Sequence, residues 1–91
     1  MQEIVLDFTG CKYFYGVHKV LKEAFEFPEW YGMNLDALWD LLYNYCDWEL
    51  HVYIKGLNKL PNELNDYMRE ILKIFEDVHS ENPNIVFEIV S

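Results

Sequence analysis

Apolar and polar positions along the chain fall into six blocks. Glu3–Phe8 is rich in β-branched residues and closes on Thr9-Gly10, which predicts a strand. From about Phe14 to Phe25 the pattern changes to Val17, Val20, Leu21, Ala24 and Phe25, the spacing of one helical face. Its start is poorly marked, because Tyr15-Gly16 offers no good side-chain cap. Glu26–Met33 reads as a loop. Pro28 pushes Phe27 toward extended backbone and stops the helix, and Gly32 suits a turn geometry that other residues resist. Asn34 is placed to cap a second helix, Leu35 to about Tyr45. Leu35, Leu38, Leu41, Leu42 and Tyr45 form its inner face, with Asp36, Asp40, Tyr43 and Asp47 opposite. Asn44, near its end, is a residue type that tolerates left-handed backbone.

Leu50–Ile54 predicts a second strand. Gly56–Pro61 is a connection with room for one helical turn. The longest helix begins at Pro61-Asn62-Glu63 and runs to about Ser80, with Leu64, Tyr67, Met68, Ile71, Leu72, Phe75 and Val78 as its buried stripe. After the turn Asn82-Pro83-Asn84, the run Ile85–Val90 is nearly all apolar, which predicts a third strand buried on both faces. Strand, two helices, strand, helix, strand implies parallel pairing through right-handed crossovers. The predicted fold is α/β, a three-stranded parallel sheet with packed helices in the order β-α-α-β-α-β. No repeat or linker divides the 91 residues, so one domain is expected.

Charge changes the picture. The formal net charge is −9, from 16 acids against seven Lys and Arg. Phosphate binding needs clustered cations, so nucleic acid is a poor partner for this chain, as is an anionic membrane surface. No stretch is long and apolar enough for a membrane span, and Met1-Gln2-Glu3 begins nothing like a signal peptide; a cytoplasmic location is expected. Cys11 and Cys46 have no partner pattern and read as reduced, half-buried thiols.

The acids are unevenly spread. From Glu23 to Ile54 there are seven (Glu23, Glu26, Glu29, Asp36, Asp40, Asp47 and Glu49) and not one Lys or Arg. Eight aromatic residues accompany them outside the strands. Like charges repel and exposed rings leave apolar surface in water, so this surface suits a cationic protein partner. Asp36 lies in the first helical turn, where the dipole favours an anion. Asp40, four residues on, has no such support and no base three or four positions away. Trp30 and Tyr31 follow the helix-breaking proline and are expected to be exposed contact rings; Trp39 is expected to be partly buried in the core.

Chemistry of the chain's own is harder to find. His18, His51 and His79 fall on three separate elements, and none stands beside a Ser or Cys in a catalytic motif. The four glycines form no phosphate loop. Asp36, Asp40 and Asp47 could at most be imagined as a metal-dependent hydrolase's carboxylates, but no further ligand stands at metal spacing. A protein without enzymatic activity, cofactor or metal is expected.

The run from Phe27 to Asp40, with Pro28-Glu29-Trp30-Tyr31-Gly32 followed by Asn34-Leu35-Asp36-Ala37-Leu38-Trp39-Asp40, resembles the barstar family of bacterial ribonuclease inhibitors. The likeness covers the whole chain. It extends to His18 and Leu21 in the first helix, the strand around Val52, the stretch Phe75-Glu76-Asp77 and a terminal strand ending at Ser91. The family's three-stranded parallel sheet agrees with the order of elements above. The resemblance implies an intracellular inhibitor that plugs the active site of a small, secreted, basic guanyl-type ribonuclease of the barnase type. It implies that Asp40 is the main acidic anchor, entering the phosphate pocket among Arg, Lys and His, and that Asp36 is the second acidic contact. Trp30 stands where the family places an aromatic against the enzyme's catalytic His, and Asp77 where it has a Glu. Met33, Asn44 and Tyr45 depart from familiar polar, Gly and Trp positions. The candidate contact set is Trp30, Tyr31, Gly32, Asn34, Asp36, Trp39, Asp40, Tyr43, Tyr45 and Asp77. An interaction module of the same fold, binding another basic protein, is the alternative. A monomer is expected when no partner is bound.

Overall fold

The structure is a computed structural model that describes residues 2–45 and 49–90, and Tyr45 through its backbone only. The elements follow the predicted order: β1 (Gln2–Asp7), α1 (Phe14–Phe25), α2 (Leu35–Tyr45), β2 (Leu50–Lys55), a 3-10 turn (Leu57–Lys59), α3 (Asn62–Glu81) and β3 (Ile85–Ile89). Among the described residues the three strands form one parallel sheet in the order β1-β2-β3. Ile4 lies opposite Val52, and Val52 opposite Phe87.

Burial alternates along the strands. Ile4, Leu6 and Phe8 of the first segment and Leu50, Val52 and Ile54 of the second are buried, while Glu3, Val5, Asp7 and Lys55 are exposed. Side chains of period two therefore divide the sheet into a core face and an open face. α1 packs on β1, α3 on β3, and α2 on α3. Leu21, Leu38, Leu41, Leu42, Ile71 and Phe75 complete the core from the helices.

β3 departs from the expectation. It was predicted to be buried on both faces, but it is an edge strand, and Ile89 is 57% exposed. Of its apolar run, Ile85 is buried and Phe87 stacks on Phe75 of α3 at 4.4 Å, while Val86 lies on the open face, opposite His51. The open face is held instead by polar pairs and a ring contact: Tyr53 donates from its hydroxyl to Glu3 Oε2 at 2.8 Å, His51 Nε2 meets Glu88 Oε1 at 3.0 Å, and the His51 and Tyr53 rings stack at 4.3 Å. Cross-strand pairs of this kind let one face of the sheet stay wet.

The connections explain how the helices are aimed. Gly56 has φ +82°, and a Cβ there would collide with the backbone nitrogen of Thr9, so the loops after β1 and β2 can meet only at a glycine. α1 starts without a side-chain cap, as its sequence suggested. It ends with Glu26 in left-handed backbone (φ 56°), where the Lys22 carbonyl accepts the N–H groups of Glu26 and Phe27. Among the described residues no helix is long and apolar enough to cross a membrane.

Candidate functional site

The loop between α1 and α2 is held from inside. Phe27 is buried and stacks on Phe25 at 5.3 Å. The Tyr31 N–H donates to the Pro28 carbonyl at 3.0 Å, closing a tight turn. Tyr31 is only 4% exposed, which corrects its expected place as a contact ring. Its hydroxyl hydrogen-bonds His18 Nδ1 at 2.7 Å, and the other ring nitrogen, Nε2, bonds the hydroxyl of Tyr67 on α3. A neutral imidazole has one donor and one acceptor nitrogen, so one tyrosine donates to it and the other accepts. Burial lowers the His18 pKa and raises that of Tyr31 far above the usual phenol range. This polar core ties α1, the loop and α3 together. The sequence places His18 on α1 outside any catalytic motif; the structure buries it completely.

Because Tyr31 turns inward, its neighbour Trp30 turns outward and is 66% exposed, as expected. Lys22, just outside the base-free stretch, reaches Glu29 at 3.2 Å, so Glu29 is partly compensated. Gly32 is needed for space rather than for a left-handed turn. A Cβ there would stand 3.1 Å from Asn34 Nδ2 and 3.3 Å from Ala37 Cβ. The left-handed residue is Met33, with φ 55°.

Asn34 caps α2 as predicted. Its Oδ1 accepts the Ala37 N–H at 2.8 Å, its carbonyl accepts the Leu38 N–H at 3.0 Å, and its Nδ2 donates to the Gly32 carbonyl at 3.1 Å. One side chain thus sets both the end of the loop and the axis of the helix.

α2 then sorts its faces. Leu38, Leu41 and Leu42 are buried, with Leu35 packed at the margin. Asp36 and Asp40 are exposed on the other side, one helical turn apart. Among the described residues, no Lys, Arg or His nitrogen lies within 4 Å of either carboxylate. Trp39 is 44% exposed, more open than expected, and stacks on Tyr43 at 4.0 Å. The Tyr43 hydroxyl donates to the Asp77 carbonyl at 3.1 Å, which fixes α2 against the last third of α3 and brings Asp77 to the same surface. Partial burial raises the Tyr43 phenol pKa, and the carboxylates of Glu81 and then Asp77 push it further the same way. Glu81 therefore extends the acidic rim, a position that sequence reasoning did not select.

Asn44 is helical, not left-handed. Its amide folds back on Asp40, donating to the carbonyl at 2.8 Å and to the carboxylate Oδ1 at 2.9 Å. The i, i+4 spacing was legible in the sequence and would have found this pair. The Tyr45 side chain and all of Cys46 and Asp47 lie outside the described residues. Among the described residues no three His, Cys, Asp or Glu side chains gather as metal ligands.

The surface is thus an exposed ring, a capped stiff helix with two outward carboxylates, a stacked ring pair and an acidic helix end. The family described as Barstar (barnase inhibitor) matches residues 1–91. The chain is also 31% identical over 81 residues to a protein of Bacillus subtilis (strain 168) named "Putative ribonuclease inhibitor YrdF", covering 89% of each chain. This chain belongs to the Barstar family.

Proposed function

We propose that this chain inhibits a small, secreted, guanyl-type ribonuclease by seating α2 and the loop before it in the enzyme's active site. The observation that carries the reading is the pair of outward carboxylates, Asp36 and Asp40, with no cation near them among the described residues. A ribonuclease must hold an anionic phosphate, so its active site collects positive groups. A carboxylate on a rigid helix can satisfy the same donors as charge-assisted hydrogen bonds. The helix is already ordered, so little conformational entropy is lost on docking. In this reading Asp40 takes the phosphate's place, Asp36 and Asp77 meet flanking cations, and Trp30 covers the mouth of the site. Trp39 and Tyr43 supply contact area, while Gly32 and Asn34 shape the loop that presents it.

No reaction by the inhibitor is involved; it blocks access and neutralises charge. The protein acts as a monomer in the cytoplasm of the cell that makes the ribonuclease. Opposite net charges accelerate encounter, and added salt slows it. The test is titration into a purified ribonuclease of the barnase type while RNA cleavage is followed. Activity should vanish at one equivalent. Full activity at several equivalents would remove the reading for that enzyme. Binding without inhibition would move it to a basic partner of another kind.

A further inference from the structure

An exposed aspartate in mid-helix ordinarily exchanges among several side-chain rotamers. Asp40 does not stand alone in this way. Both contacts made by the Asn44 amide nitrogen go to this one residue, to its carbonyl oxygen at 2.8 Å and to Oδ1 of its carboxylate at 2.9 Å. The orientation of the amide is fixed by these contacts, because the opposite one would set an oxygen against two oxygens. The carbonyl contact anchors Asn44 to the helix, and the anchored amide then holds the carboxylate. Oδ2 is left for a partner's donors.

Among the described residues the contact has no equivalent elsewhere on α2. Asp36, one turn earlier, has Asp40 as its i+4 neighbour and cannot be held in this manner. Tyr43, on the preceding position, is itself fixed by its stack on Trp39 and its hydrogen bond to Asp77. Among the described residues of α2, Asp40 is the carboxylate held by a neutral side-chain amide.

We propose that Asn44 is a positioning residue for Asp40, selecting the rotamer in which the carboxylate is presented. The proposal rests on the inhibitor reading for its purpose, but not for its geometry. Its effect is to order, before binding, a side chain that the partner would otherwise have to order. The expected gain is about fivefold in affinity, within the range for fixing one side chain.

Two measurements test it. In the free protein, three-bond Hα–Hβ couplings report the Asp40 rotamer without any partner. The intact protein should show one rotamer, and Asn44→Ala, which keeps a good helix former on an exposed position, should show averaging. Averaged couplings in the unaltered protein would overturn the proposal. With a barnase-type ribonuclease as the probe, Asn44→Ala should weaken binding about fivefold, and the loss should disappear when Asp40 is already Ala. An equal loss in both backgrounds would overturn it too, because Asn44 would then be acting by itself on the partner. Failure of the unaltered protein to bind would end the inhibitor reading for that enzyme and leave the couplings to decide on Asn44.

Discussion

α2 and α3 are both amphipathic, and both bury an aliphatic stripe beside the same sheet. Their outer faces differ in kind. On α3 acids and bases are mixed: Arg69 reaches Asp66 at 3.1 Å, and Lys73 lies among Glu70, Glu76 and Asp77. That is how a solvated helix face is usually built, and each such pair contributes little. On α2 the outer face holds Asp36, Asp40, Trp39 and Tyr43 and no base at all. Folding gains nothing from two like charges four residues apart. The difference is that α3, though acidic overall, sets bases among its acids, while α2 leaves its two acids without one.

The largest test of this contrast is Asp40→Ala. Binding to a barnase-type ribonuclease should weaken by about 2–8 kcal/mol, the span measured for charged hot spots, the barnase–barstar pair among them. The melting temperature should hold. Asp66→Ala on α3 should leave binding unchanged. Comparable losses from both, read by calorimetry or by association and dissociation rates, would erase the distinction between the helices.

A second test sharpens it by separating the surface from its support. Tyr31 and Trp30 are neighbours with opposite roles. Tyr31→Phe removes the hydroxyl from buried His18 Nδ1 and should lower unfolding stability by about 1–3 kcal/mol in denaturant titration. Trp30→Ala should spare stability and weaken binding. Reversed results would mean that the ring facing the partner has been misassigned.

The same support has a pH signature. Burial depresses the His18 pKa below its ordinary value of 6.5, so the unfolded chain takes up a proton first as pH falls. The stability from neutral His18 is therefore complete above about pH 6.5. It is lost progressively below that value, until the folded protein is protonated as well. Thermal melts between pH 7 and 5 should show the decline, and His18→Gln should flatten it. A flat profile in the unaltered protein would contradict the buried neutral imidazole.

The smallest effect concerns the helices alone. Asp66→Asn should cost a few tenths of a kcal/mol by losing an exposed ion pair. Asp36→Lys, facing Asp40 at i+4, should offset the like-charge repulsion there by a similar amount, against the loss of a favourable charge at the helix start. Binding should fall with Asp36→Lys far more than stability changes with either, and a change confined to stability would place α2 among ordinary solvated helices.

Much of this site was legible before folding was considered. The cap at Asn34 follows from residue type and position, and the structure gives it the expected hydrogen bond to Ala37. The acid-only face of α2 follows from helical period and the absence of Lys and Arg. Tyr31 and Trp39 were not legible. A loop has no period, so nothing local says which of two adjacent rings turns inward. Tyr31 is drawn in because His18, thirteen residues earlier, offers a buried nitrogen. Trp39 is left half out because Leu38, Leu41 and Leu42 already fill the space beneath the helix.

The sequence by itself determined the order and type of the elements, because hydrophobic period, caps and breakers act over a few residues. It also determined where charge would be left unopposed. Tertiary structure alone decided which strand became an edge, since an apolar run does not say what will lie beside it, and β3 has α3 on one face and, among the described residues, no strand beyond. It decided as well that Met33, not Gly32, takes the left-handed turn, because Gly32 is reserved for the close approach of Asn34 and Ala37. Packing is set by partners distant in the chain, and those become neighbours only when the whole chain has folded.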